Sequence, residues 1–448
     1  MFAIENANLK ETISLLSELI QNKCVNPPGN EIKSIQTIQR ILHEHDIETR
    51  VFESAPNRGN LVARIPGTGS GPKLMFGPAH VDVVPVENVD AWSEDPFSGM
   101  VKEGYVWGRG ALDMLFIVAA QVQAFVKLHE EGFQPKGDLI LLVVSDEETG
   151  GTYGAEWMVK NHPELVKTDY AVTEAGGISI APGKILFMTG EKGVSQKRMT
   201  FKGKPGHGSM PYGSDNAIVK MSEAVTRISN YNPPVTTKYL SDLADGLELG
   251  FIQRLMLTNP WLISFTLNRL KSREPTMAMM MHGLSRMTIS PNIAYGGVKV
   301  NVIPEKARID LDIRTLPGQN NEYVISQLRQ ALGPLAEEAV IDDLMSTEGI
   351  LSFGSASPSR SDFVAAMEKA VRKEIPNANL VPLIMPGASD CRFLREIGAE
   401  AYGFSLFDPE TPTSHLAELA HGANERISIN TLDLTQKVYY HLARDFLE

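Results

Sequence analysis

The run Asp138-Leu139-Ile140-Leu141-Leu142-Val143-Val144-Ser145 constrains the fold of this chain more than any other stretch. Its aliphatic residues are consecutive and leave no polar face, the pattern of a strand covered on both sides. Strands of that kind belong to parallel sheets layered between helices. The surrounding sequence agrees: residues 5–21, 32–44 and 113–130 have helical apolar spacing, and they alternate with strand-like 60–65, 73–76 and 170–173. Alternation of this sort predicts an α/β fold, with a mostly parallel central sheet flanked by helices.

Near residue 191 the texture changes. Glu191-Lys192-Gly193-Val194 leads into alternating residues and then the turn-rich Gly203-Lys204-Pro205-Gly206-His207-Gly208-Ser209-Met210-Pro211. Helical spacing over 216–228 and 320–332, with strand-like 297–302 and 307–313, predicts a one-layer α+β module. Beyond about 350 the helix and strand alternation returns, with helices over 360–373 and 430–446. The chain therefore reads as a discontinuous α/β domain, 1–192 and 350–448, interrupted by an inserted domain, 193–349. Inside the insert, 247–270 carries Phe251, Leu255, Trp261, Phe265 and Leu270 and is broken by Pro260. This segment is expected to pack within the insert rather than to lie in a membrane interface, and the Met277 to Met281 run is expected in the core.

Composition excludes several classes of partner. A chain of 448 residues, 43% hydrophobic and 21% charged, is long enough for two cores. Its formal net charge of -12 disfavours nucleic acid and anionic membranes and leaves small molecules or short peptides as ligands. Cys24 and Cys391 are the only cysteines, which suits a reducing compartment and a cytoplasmic location. Residues 1–22 carry Glu5, Lys10, Glu11 and Glu18 at amphipathic spacing, unlike a signal peptide, and no uninterrupted apolar run has the length of a membrane span.

Five acidic and histidine-bearing stretches carry the chemistry: His80-Val81-Asp82, Asp113, Glu147-Glu148, Glu174 and His421. Together they read as one site for two divalent metals. His80 and Asp82, at i and i+2 of an extended segment, point the same way, so one can bind metal while the other orients it. Glu147-Glu148 follow the buried run and Glu174 follows 170–173, where ligand sites of open α/β sheets gather at the carboxyl ends of strands. Neighbouring side chains diverge, so one glutamate can ligate while the other faces substrate.

Asn26-Pro27-Pro28-Gly29, His80-x-Asp82, Gly108-Arg109-Gly110-x-x-Asp113-Met114, Glu147-Glu148, Glu174 and His421-x-x-Asn424-Glu425 resemble, in order and spacing, the co-catalytic zinc metallopeptidases. That family includes aminoacylase, carboxypeptidase G, acetylornithine deacetylase and succinyl-diaminopimelate desuccinylase. Gly206-His207-Gly208-Ser209-x-Pro211 and Asp312-Ile313-Arg314-x-Leu316-Pro317-Gly318 resemble its lid motifs, so the likeness covers nearly the whole chain. The resemblance implies two zinc ions, with cobalt or manganese as substitutes, bridged by Asp113. One would also take His80 and Glu174, the other Glu148 and His421. Asp82 would orient His80, and Glu147 would be the general base for a shared water. His207 would hold the oxyanion, in this family commonly in the opposite subunit, so the insert would be a lid and dimerisation domain of a homodimer. Arg314 would grip a substrate carboxylate with Asn301 nearby, and Gly387-Ala388-Ser389-Asp390 would supply Ser389 on the substrate side.

Two local features need stating. Leu115, Phe116 and Ile117 follow Asp113-Met114 where many relatives have lysine and glycine, and His415 lies six residues before His421, which the Asn424-Glu425 spacing favours as the ligand. The implied activity is hydrolysis of an amide bond in an N-acyl amino acid or short peptide. An aminopeptidase or dipeptidase recognising a free amine is the alternative within the family. A catalytically silent metal-bound binding protein is the alternative outside it, and the presence of Glu147 beside a full ligand set argues against it.

Overall fold

A computed structural model describes residues 7–344 and 351–448. The apolar run forms the strand Leu139–Val144 with every residue buried. Its side chains divide by parity, as the pleat requires. Leu139, Leu141 and Val143 enter a core with Phe116, Phe125 and Tyr439, whereas Ile140, Leu142 and Val144 enter a second core with Met158 and Leu394. The strand is thus covered on both faces, and its lack of alternation follows from that.

The chain divides into two units. The first comprises Met1–Gly190, Ser357–Leu383 and Ser389–Glu448. Its sheet runs Thr49–Ala55, Arg58–Ile65, Leu139–Val144, Leu74–His80, Tyr170–Thr173, Glu400–Gly403 and Lys184–Glu191. The four strands from Leu139–Val144 to Glu400–Gly403 are mutually parallel, and the outer ones are antiparallel. Helix Phe116–Glu130 packs against Ile429–Leu447. By length and composition the stretch Ala111–Glu130 could cross a membrane, yet 83% of its apolar window is buried inside this core.

The second unit, Glu191–Ala356 with Ile384–Ala388, extends past the expected 193–349 at both ends and also takes in the short segment at 384–388. The expected boundary at 349–350 falls outside the described residues, as does Glu5 of the first helix. Its antiparallel sheet is built on the central strand Lys306–Thr315, which pairs Lys197–Lys202 on one side and Thr288–Gly296 on the other. Helices Ala217–Asn230 and Asn321–Leu332 cover it through Met221, Ala224, Val324 and Leu328.

Several local expectations need correction. The strand expected over 297–302 is displaced: Thr288–Gly296 is the strand, and Val298 and Val300 are fully exposed. Alternating valines signal strand propensity, but they do not show whether a partner strand is present. Segment 247–270 forms two helices, Phe251–Thr258 and Ile263–Lys271. Leu257, Ile263 and Leu267 turn inward, while Phe251, Trp261 and Phe265 are exposed, because helices this short bury only one stripe. In the methionine run only Ala278 and Met281 are buried, and Met277, Met279 and Met280 face outward.

Candidate metal centre

Parallel pairing places the carboxyl ends of three neighbouring strands side by side. His80 closes Leu74–His80, Glu147 and Glu148 follow Leu139–Val144, and Glu174 follows Tyr170–Thr173. Asp113 arrives from the turn Ala111–Leu115 that opens helix Phe116–Glu130, with non-helical φ and ψ of -122° and 103°. His421 comes from the loop before the last strand, at a positive φ of 59°.

The two carboxylate oxygens of Asp113 divide between the histidines. Oδ1 lies 3.4 Å from His80 Nε2, and Oδ2 lies 3.1 Å from His421 Nε2. His80 Nε2 is also 3.7 Å from Glu174 Oε2, and His421 Nε2 is 3.6 Å from Glu148 Oε1. Two groups of donor atoms result, His80 with Glu147 and Glu174, and Asp113 with Glu148 and His421, each within 4.8 Å. Glu147, expected to touch no metal, thus stands within ligand reach of His80 and Glu174.

His80 Nε2 and Glu148 Oε1 are buried without hydrogen-bond partners. Carboxylates crowd the same space. Burial, then the Glu174 carboxylate, pushes Glu147 well above the usual range, and burial raises Glu174 and Glu148 too. The Asp113 and Glu148 carboxylates beside it push His421 up to about 10. Converging carboxylate and imidazole groups, with His80 Nε2 and Glu148 Oε1 left without hydrogen bonds, form donor sets of the kind that hold divalent cations.

Asp82 is fully buried and organises this shell. Its carboxylate accepts Asn26 Nδ2 at 2.8 Å and the backbone N–H of Glu147 and Glu148 at 3.2 and 3.1 Å. Its backbone carbonyl faces His80 Nδ1 at 3.1 Å, and its Oδ1 faces the same nitrogen at 3.4 Å. Burial opposes its ionisation, but His80, Asn26 and these N–H groups outweigh burial and hold it below the ordinary value.

Other positioning residues carry no signal of their role in the sequence. Glu425 accepts Arg109 Nη1 at 2.6 Å through Oε2 and the Leu112 and Asp113 N–H at 2.8 and 3.2 Å through Oε1. Arg109 Nη2 also donates to the His421 carbonyl at 3.0 Å. Asp390, one residue beyond the expected Ser389, has both oxygens buried and unpaired, and burial lifts it to about 7. Its charge is felt by Glu147, which places it at the edge of the cluster. Ser389 itself is buried, and its carbonyl accepts Arg392 Nη1 at 2.8 Å. His415 is taken up by Arg426 at 2.8 Å. A cavity of about 420 Å3 opens beside His421, walled by Pro85, Trp92, Arg109 and Ala423.

A profile of the peptidase family M20/M25/M40 matches residues 78–445, most of the chain. The chain belongs to that family. As an M20 peptidase it is a hydrolase, and its relatives are spread widely. It is 28% identical over 390 residues, 84% of this chain and 71% of the relative, to a probable carboxypeptidase S-like protein of Dictyostelium discoideum. It is 27% identical over 398 residues, 84% of this chain and 75% of the relative, to an N-fatty-acyl-amino acid synthase/hydrolase of Homo sapiens. The M20 fold is shared with a metallo-carboxypeptidase from Sulfolobus solfataricus, at a TM-score of 0.70 and 18% identity over 97% of this chain and 99% of that one.

The residues expected to serve the M20 substrate from the insert lie in the second unit. His207 is exposed on the two-residue strand Gly206–His207, with Nδ1 2.7 Å from Ser209 Oγ. Gly208 N–H donates to the Asn301 carbonyl at 2.8 Å, so the His207 turn and Asn301 are neighbours. Arg314 is half-buried on the central strand, and its Nε donates to Asp312 at 3.0 Å.

Proposed function

We propose that this M20 hydrolase cleaves the amide bond of an N-acyl amino acid, or of a short peptide with a free carboxylate, at a centre holding two divalent metals. The observation that carries this reading is Asp113, whose oxygens face His80 on one side and His421 on the other. In it, His80 and Glu174 complete one half-site, Glu148 and His421 the other, and Asp113 joins both. Two zinc ions, or cobalt or manganese in their place, supply a polarised carbonyl and an acidified water when bound.

The chain's own groups do the rest. Asp82 fixes the His80 ring, because its backbone carbonyl and its carboxylate both face the far imidazole nitrogen and set its tautomer. Glu147 takes a proton from the attacking water and delivers it to the departing amine nitrogen. His207 donates to the oxyanion from Nε2, since Nδ1 is engaged by Ser209. Arg314, its Nε held by Asp312, grips the substrate carboxylate with Asn301 and Ser389 alongside. A homodimer in the cytoplasm, with His207 reaching the partner's centre, completes the proposal.

The carboxypeptidase S-like and N-fatty-acyl-amino acid relatives favour a substrate with a free carboxylate over one recognised by its amine. Glu147→Gln tests the mechanism. Turnover of N-acyl amino acids should fall about 100- to 10,000-fold while metal content, measured by mass spectrometry, stays at two per chain. Near-normal turnover overturns the base assignment, and loss of metal makes Glu147 a ligand. Mixing Glu147→Gln with His207→Ala subunits should restore part of the activity, and stable mixed dimers without rescue remove the shared site.

A further inference from the structure

Within the second unit, a cavity of about 670 Å3 lies against helices Ile263–Lys271 and Pro275–Ser285, and Asn268, Lys271, His282 and Arg286 give it a polar, basic wall. Leu267 and Met279 supply an apolar side. Among the described residues no carboxylate lines it.

Arg286 is the unusual member. It is only 3% exposed, its Nη2 has no hydrogen-bond partner, and its Nε donates to Ser285 Oγ at 3.2 Å. A buried guanidinium without an anion is unfavourable, because its lost hydration is not replaced. A second cation sharpens the imbalance: Lys192 is also buried, and its ammonium donates to the carbonyls of Gly283 and Arg286 at 2.8 and 3.1 Å. Burial first, then the charges of Arg286 and Lys192, makes His282 harder to protonate.

The shape narrows the class of anion. A planar fork of donors matches a carboxylate in two-point fashion. Inorganic phosphate fills only a small part of a cavity this size, which is in the range that holds organic molecules. We propose that this cavity binds a small organic carboxylate, its oxygens paired with Arg286 and flanked by Lys271 and His282, its apolar body lying on Leu267 and Met279. The site lies wholly in the second unit and does not depend on the metal chemistry.

Methyl NMR on the full-length, metal-loaded protein with labelled methionine tests this, the Met279 resonance being assigned with Met279→Leu. Titration with 4-phenylbutyrate should shift Met279 saturably, and 4-phenylbutanol and inorganic phosphate should each bind at least tenfold more weakly. Arg286→Gln should weaken phenylbutyrate by tenfold or more. Should that variant not fold, the exposed changes Lys271→Gln and His282→Gln should each weaken it several-fold. An unmoved Met279, equal affinity for acid and alcohol, phosphate binding as tightly as phenylbutyrate, or wild-type affinity in all the variants that fold would each overturn the proposal.

Discussion

Asp82 spreads one buried carboxylate over Asn26, His80 and two backbone N–H groups, so its charge is fully used although it faces no solvent. Replacing Asp82 by Asn keeps the shape and removes the charge that orients His80. Metal affinity should fall about 10- to 100-fold, measured by competition with a chelator, with the fold retained. Lys192 illustrates the opposite case, a buried base lacking a carboxylate partner. Burial, then Arg314, holds it down to about 8. A base whose folded pKa lies below its unfolded value of about 10.4 binds fewer protons when folded. Stability should therefore rise with pH between about 8 and 10, by roughly 3 kcal/mol at most. Denaturant titrations of wild type and Lys192→Met across that window check this, and parallel curves would remove Lys192 as the source. Asp82 was legible from its spacing to His80, whereas nothing near Lys192 announces that it ends beneath the carbonyls of Gly283 and Arg286.

At the scale of elements, the turn carrying Asp113 is held from a distant part of the chain. Glu425 ties the Leu112 and Asp113 N–H groups to Arg109, and Arg109 ties the same cluster to the His421 carbonyl. Glu425→Leu leaves Arg109 buried without its carboxylate partner, and should cost about 3–5 kcal/mol with loss of metal. Arg109→Met with Glu425→Leu should regain much of that stability in denaturant melts but not the metal affinity. Recovery of both would show that the pair does not position the ligands. The motif pieces around Arg109 and Glu425 are recognisable by spacing, whereas their mutual contact spans more than three hundred positions and is set by folding alone. Elements with strong local signals were legible: helix Ile32–Glu44 and strand Tyr170–Thr173 follow from apolar spacing alone. In the strand expected over 297–302 only Val302 finds a partner, opposite His207, while Val298 and Val300 have the alternation but stand exposed.

At the scale of the molecule, the donor cluster is an electrostatic load on the fold as well as a candidate active site. Several partly buried carboxylates are raised by desolvation and by one another, and divalent cations would relieve that repulsion. Chelation should therefore lower the unfolding free energy, by about 3 kcal/mol relative to metal at a hundredfold its dissociation constant. Thermal melts with and without added zinc, cobalt or manganese read this out, and an unchanged midpoint would deny any linkage between metal and fold. The sequence by itself determined the α/β class, the two-sided burial of the central strand and the ordered set of donor residues, because local periodicity and residue type carry those directly. Only the tertiary structure decided that Asp113 stands between two histidines, that Glu147 comes within ligand reach, and that Arg286 is buried without an anion. Those facts depend on loops brought together across the sheet, and no local pattern encodes a distance between segments that meet only when the chain has folded.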